Sequence, residues 1–288
     1  MTDTSFIIWI QQFSTPWLDT LFRLLTYTGE LEFYMATIPL FFWLFDKKFG
    51  FRFAVFFLIS TYLNSAIKYN FQTERPPHEL RKITQEGYSF PSGHAQGSTV
   101  YWSYLALQIN KRWAYIAAGI ILFLVAFSRI YLGVHFPIDM LFGILIGLSL
   151  LGLYEFFCRN LELEMKLSTW LLATGGVIAI LFMNHSVGDG SMVLGFALGS
   201  LWGYRLEADF VAFQVKAAWW QHIIKAVLGL VVFFGLYYAL GSVSDSLVGD
   251  DTGLAYHLFR FFRYFCLALW VTLAAPWVFK LLRLYRKI

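Results

Sequence analysis

Three short stretches carry residue types that suit one reaction. Residues 68–76 (KYNFQTERP) hold Lys68 and Arg75, residues 91–94 read PSGH, and residues 128–139 (SRIYLGVHFPID) add Arg129, His135 and Asp139. A phosphoryl group in transfer spreads negative charge over three equatorial oxygens, so it needs positioning and fixed positive charge. Lys68 offers a point charge, and Arg75 and Arg129 offer planar forks that match phosphate oxygens. Pro76 and Pro77 stiffen the chain just after Arg75. Lys68 or Arg75 alone reads as a snorkelling cation. Arg129 sits near the end of an apolar run, where an ionisable residue marks function.

The elements around these residues give them geometry. Ser92 follows Pro91 and precedes an apolar run, which predicts a helix with Ser92 as its N-cap. Gly93 lets a ligand approach the backbone, and the free N–H groups of the first turn form an anion site. His94 then falls beside the phosphate, placed to protonate a leaving oxygen. Pro137 predicts a second helix start, with His135 just outside it and Asp139 just inside. Asp139 is placed to accept a hydrogen bond from one ring nitrogen of His135. The other nitrogen is then free to attack phosphorus. Two histidines and an aspartate are also zinc-ligand types. Three nearby cations would repel a metal and already supply its charge, so no metal or cofactor is expected.

The 288 residues are 58% hydrophobic and 14% charged, and mean hydropathy is +0.60. Soluble domains carry about 25% charge, so the chain reads as an integral membrane protein. The expected fold is all-α, a polytopic transmembrane helix bundle. Apolar runs predict spans near 31–46, 50–68, 92–109, 113–131, 137–157, 167–184, 190–204, 218–241 and 256–280, giving eight or nine crossings. Residues 5–27 are interrupted by Gln11, Gln12, Asp19 and Arg23 and read as an interfacial amphipathic helix broken near Pro16, rather than as one more span. Residues 161–166 (LELEMK) separate a motif-bearing part, 1–160, from a motif-poor part, 161–288. No basic stripe suits nucleic acid, no cleavable signal peptide is evident at the start, and Cys158 and Cys266 suggest neither a disulfide framework nor a zinc site.

Basic residues cluster in alternate loops: Lys47, Lys48 and Arg52; Lys111 and Arg112; Arg159 and Lys166; Arg205 and Lys216; and Lys280 to Lys287. Positive-inside reasoning puts these in the cytoplasm, with the amino terminus and all three motifs on the outer face. In a bacterial cell that is the outer side of the cytoplasmic membrane.

Taken together, the motifs resemble the phosphatidic acid phosphatase type 2 superfamily, whose pattern is K-x6-RP, then PSGH, then SR-x5-H-x3-D. Lys68, Arg75-Pro76, Pro91-Ser92-Gly93-His94, Ser128-Arg129, His135 and Asp139 match it at every position, within about residues 30–157. The resemblance implies that Lys68, Arg75, Ser92, Gly93 and Arg129 bind phosphate, that His135 forms a phosphohistidine, that His94 is the acid, and that Asp139 supports His135. It implies a lipid phosphatase, since the motif loops emerge directly from spans. Undecaprenyl diphosphate, phosphatidic acid, phosphatidylglycerol phosphate and a phosphorylated sphingoid base are the candidate substrates. Two other readings share these residues: a vanadate-dependent peroxidase, and a lipid transporter or scaffold with an inactive inherited site.

In the second part, Trp219 and Trp220 read as an interfacial anchor. Gly195, Gly199 and Gly203 suit close helix packing, expected against the first part. Arg260 and Arg263 are expected to meet lipid head groups or Asp250 and Asp251. Asn184, His185, Asp189 and His257 read mainly as solvated loop polarity near the outer face.

Overall fold

The computed structural model describes residues 3–158, 167–184, 189–248 and 253–286, and all regular elements among them are helical. The chain forms two compact units. The first comprises Met1–Met35 and Ser60–Leu161, the second Ala36–Ile59 and Glu162–Ile288. Among the described residues, five helices are long and apolar enough to cross a membrane: Lys47–Phe71, Arg112–Tyr131, Pro137–Phe156, Trp219–Val248 and Leu254–Leu281. The apolar stretches Leu31–Phe45 and Leu171–Ile180 are shorter. The protein is thus a multi-pass, all-helical membrane protein.

The first unit begins with α1 (Ser5–Gln11) and α2 (Pro16–Tyr27). Pro16 takes the first helical position, and Thr15 accepts a hydrogen bond from the Leu18 N–H, so the break falls where proline is best tolerated. One face of this pair buries Ile7, Ile10 and Phe22, while Trp9, Phe13, Trp17 and Leu24 stay exposed. The chain continues through α3 (Leu31–Leu40) and α4 (Lys47–Phe71), whose residues are shared between the units.

After a long loop come α5 (Gly93–Ile109), α6 (Arg112–Tyr131) and α7 (Pro137–Leu153). Helix α5 packs on both α6 and α7. At 17 residues it is short for a crossing, and its buried Gln96, Ser98 and Thr99 make it the polar core of the unit rather than a lipid-facing span. The turn from α6 to α7 needs Gly133, which has φ of +70° and whose Cβ would collide with the Leu80 carbonyl. Gln11 donates from Nε2 to the carbonyls of Leu80 and Tyr131 at 2.8 and 2.9 Å. Lys82 meets Asp19 at 3.0 Å, and Arg23 donates to the Lys82 carbonyl at 2.6 Å. The amino-terminal helices thereby tie down the loop after α4.

In the second unit, α8 (Leu167–Asn184), α9 (Gly190–Leu206), α10 (Trp219–Val248), α11 (Leu254–Leu269) and α12 (Ala275–Leu281) follow. The glycine row of α9 does mediate close packing, but its partner is α11 and not the first part of the chain. A Cβ at Gly195 or Gly199 would overlap the carbonyls of Phe261 or Phe265, and one at Gly203 would overlap Thr272. Arg260 pairs with Asp189. Arg263 donates to the Tyr237 carbonyl at 2.7 Å and lies 4.1 Å from that ring's centre. Both arginines are thus held by neighbouring helices; Asp250 and Asp251 lie outside the described residues, as do residues 161–166 and His185.

Candidate functional site

All three motifs fall in the first unit, on four pieces of backbone: the end of α4, the loop from Gln72 to Ser92, the start of α5, and the turn from α6 into α7. Each helix end has a local cause. Ser92 caps α5, its Oγ accepting from the Ala95 N–H at 3.3 Å. Its own N–H donates to the Asp139 carbonyl at 3.1 Å, which joins α5 to α7. Pro137 opens α7, and Asp139 Oδ2 accepts from the Phe136 N–H at 2.9 Å.

His135 is the best-defined member. Its Nδ1 lies 3.3 Å from Asp139 Oδ2, and its Nε2 lies 3.0 Å from Arg75 Nη1. A guanidinium only donates, so Nε2 is the acceptor and Nδ1 carries the proton. Ser89, which the motifs do not include, donates to Asp139 Oδ2 at 2.5 Å and sits 3.2 Å from His135 Nδ1. His135, Asp139 and Ser89 are all buried. Burial, reinforced by the charges of Arg75, Lys68 and Arg129, holds the His135 ring well below the ordinary imidazole range. A ring kept neutral retains the lone pair that a nucleophile needs.

The cations approach from separate elements. Arg75 donates from Nε to the Gly87 carbonyl at 2.9 Å, from Nη2 to that of Glu86 at 3.0 Å, and from Nη1 to that of Val134 at 2.9 Å. Burial, and then the charge of Arg81, lower it to about 10, so it stays charged at neutral pH. Lys68 donates to the carbonyls of Tyr88 and Ser89 at 2.8 and 3.1 Å. These bonds brace the loop that carries Ser89. Arg129 is fully buried at the end of α6, with Nη1 on Thr26 Oγ1 at 2.9 Å and Nη2 on Gln85 Oε1 at 2.5 Å. Its Nε has no partner among the described residues.

His94 lies in the first turn of α5, and Arg129 and Arg75 are both within electrostatic reach of it. Its Nε2 faces Glu30 Oε1 at 3.1 Å. Gly93 is less open than its place in the motif suggests: a Cβ there would meet Asn64 Oδ1 at 3.2 Å. Asn64 is itself fixed by Gln96 at 2.9 Å, and Gln96 by the Ser60 carbonyl at 2.8 Å. The residues missed by sequence reasoning are therefore Ser89, Gln85, Thr26 and Glu30. Glu30 alone had a signal, as an acidic residue at the mouth of an apolar run.

Such an arrangement suits phosphoryl chemistry conducted at a membrane, and comparison with known proteins agrees. Residues 49–161 match the family model of the PAP2 superfamily, and residues 191–287 match that of the PAP2 superfamily phosphatase, transmembrane extension. Phosphatidylglycerophosphatase B of Bacillus subtilis (strain 168) is 30% identical over 160 residues, covering 51% of this chain and 78% of that protein. The undecaprenyl-diphosphatase of Sulfolobus acidocaldarius is 33% identical over 106 residues, 35% of this chain and 51% of its own length. A probable sphingosine-1-phosphate phosphatase of Dictyostelium discoideum is 26% identical over 232 residues, 70% of this chain and 57% of its own length. Among solved structures, the PAP2 type phosphatidylglycerolphosphate phosphatase from Bacillus subtilis aligns with a TM-score of 0.47 at 27% identity, covering 55% of this chain and 87% of that one. The chain belongs to the PAP2 superfamily, and with it to the hydrolases of phosphoester bonds.

Proposed function

We propose that this protein is a metal-independent lipid phosphatase that removes a phosphate from a lipid phosphomonoester or diphosphate through a phosphohistidine. The observation that carries this reading is the polarity of His135. Asp139 and Ser89 engage Nδ1, while Nε2 is turned toward Arg75. In the proposed first step, Nε2 attacks phosphorus and the P–O bond to the lipid breaks. The bonding electron pair goes to the lipid oxygen, which takes a proton from His94. In the second step water attacks the phosphohistidine, His94 takes the water's proton, and phosphate and free His135 result. Lys68, Arg75 and Arg129, with the α5 amino terminus at Ser92 and Gly93, hold the equatorial oxygens. These cations supply the charge for which other phosphatases use a metal.

The alternating loop charges support an active site facing away from the cytoplasm. The named activities of the relatives support a lipid substrate, and their variety keeps phosphatidylglycerol phosphate, undecaprenyl diphosphate and a sphingoid base phosphate all in the panel. The test is phosphate release from these substrates and from phosphatidic acid, in detergent with chelator present. Release by the parent protein is expected. His94→Ala is expected to slow it by about 10²–10⁴-fold, the usual worth of a positioned acid. Release undiminished in both His94→Ala and His135→Ala would reject the mechanism.

A further inference from the structure

Glu30 lies on the short connection between α2 and α3, outside every motif. Its Oε1 is 3.1 Å from His94 Nε2 and 3.8 Å from Arg129 Nη1. The first contact is at ion-pair distance but off the hydrogen-bonding line, so the buried Nε2 is close to a carboxylate without being fully bonded by it. The backbone beside it also touches the ring, since a Cβ at Gly29 would come within 3.0 Å of His94 Cδ2. Burial works against the Glu30 carboxylate, but His94 and Arg129 still hold it below the ordinary range, so it is charged.

A negative charge beside a phosphate cage opposes anion binding. Its presence calls for a compensating role, and the requirements of a general acid supply one. An acid must carry its proton when the leaving oxygen departs. The charged and titratable groups facing His94 are Arg129 from α6, Arg75 from the loop after α4, His135 from the turn before α7, and Glu30. Arg129 and Arg75 disfavour a second positive charge, whereas Glu30 favours it. We propose that Glu30 is a positioning residue for His94, holding the ring through Nε2 and favouring its protonated form, so that the other ring nitrogen, Nδ1, meets the leaving oxygen. In the leaving step the Nδ1 proton passes to that oxygen as the P–O bond breaks, and His94 is left neutral. This assignment rests on the phosphatase reading above. It gives each histidine of the site a carboxylate of its own.

The test compares the parent protein with Glu30→Gln and Glu30→Asp on two substrates across pH. One is a short-chain phosphatidic acid, whose alkoxide needs a proton to leave. The other is p-nitrophenyl phosphate, whose phenolate does not. Glu30→Gln is expected to lose about 10- to 100-fold in kcat on the alkyl ester and about 3-fold or less on the aryl ester. Its alkaline limb should move to lower pH, because the acid gives up its proton more readily without the carboxylate. Glu30→Asp should recover part of both effects. Equal losses on the two substrates with an unmoved alkaline limb would make Glu30 merely structural and overturn the proposal. So would a gain in rate with tighter inhibition by inorganic phosphate, which would mark Glu30 as a plug in the empty cage. If the parent protein releases phosphate from neither ester and from none of the lipid substrates named above, the phosphatase reading itself falls, and the role of Glu30 with it.

Discussion

The two units of this protein both bury charge, but they arrange it differently. In the second unit Lys47, Arg260 and Lys225 are each answered by their own neighbours. Lys47 meets Glu207 at 2.9 Å, and Arg260 meets Asp189. Lys225 donates to the carbonyls of Trp43 and Val215 at 3.3 and 2.8 Å and lies over the Phe213 ring. In the first unit three cations converge on one histidine, and the two nearest carboxylates, Asp139 and Glu30, are turned to histidines. A buried ionisable residue in a membrane protein is therefore not a site in itself. Convergence of like charges is the better sign, because it is costly unless an anion arrives to offset it.

This contrast predicts that substitutions in the first unit act on turnover, while those in the second act on stability. The largest effect is expected for His135→Ala, which removes the proposed nucleophile and should cut phosphate release by at least about 10³-fold with membrane insertion unchanged. Normal turnover in that variant would erase the distinction between the units. Arg75→Ala comes next, with a loss of about 10²-fold in kcat/KM from one missing donor. It also has a pH signature. Under the proposed mechanism the acid limb reports protonation of His135, whose pKa is lowered by burial and by Arg75. Without Arg75 the ring protonates more readily, so the acid limb should move to higher pH.

Ser89→Ala should cost about 10-fold in kcat, the worth of one hydrogen bond to a charged group, and a rate equal to the parent's would remove Ser89 from the site. The smallest effect on turnover is expected for Glu207→Gln in the second unit. Glu207 accepts from Lys47 and from the Phe213 N–H at 2.7 Å. Thermal unfolding should show a loss of roughly 1–3 kcal/mol, while turnover per folded molecule stays within about 2-fold. A larger fall in turnover would tie the second unit to the chemistry.

The features legible in the sequence are those whose physical signal is local. Pro137 and Ser92 start their helices for reasons contained in a few residues, and both starts appear where the chain calls for them. The glycine row of α9 announced close packing, but periodicity along one helix does not name the partner, and α11 is the partner. Ser89, Gln85 and Thr26 carried no signal, because a single polar residue in a loop or short helix looks the same whether solvated or buried. The run over α5 was similarly ambiguous: its residues Val100 to Ile109 continue a helix as a span would, yet its polar residues Gln96, Ser98 and Thr99 are buried within the first unit.

By itself the sequence determined the membrane setting, the helix starts that orient Ser92 and Asp139, and the residue types able to take a phosphoryl group. These follow from composition, capping and spacing, which act over a few residues. The tertiary structure decided which nitrogen of His135 is the unprotonated one, through Arg75 donating to Nε2 from another part of the chain. It also brought Ser89 to Asp139 and Glu30 to His94. Those pairings depend on where distant segments are held by burial and hydrogen bonding, and no short-range pattern encodes them.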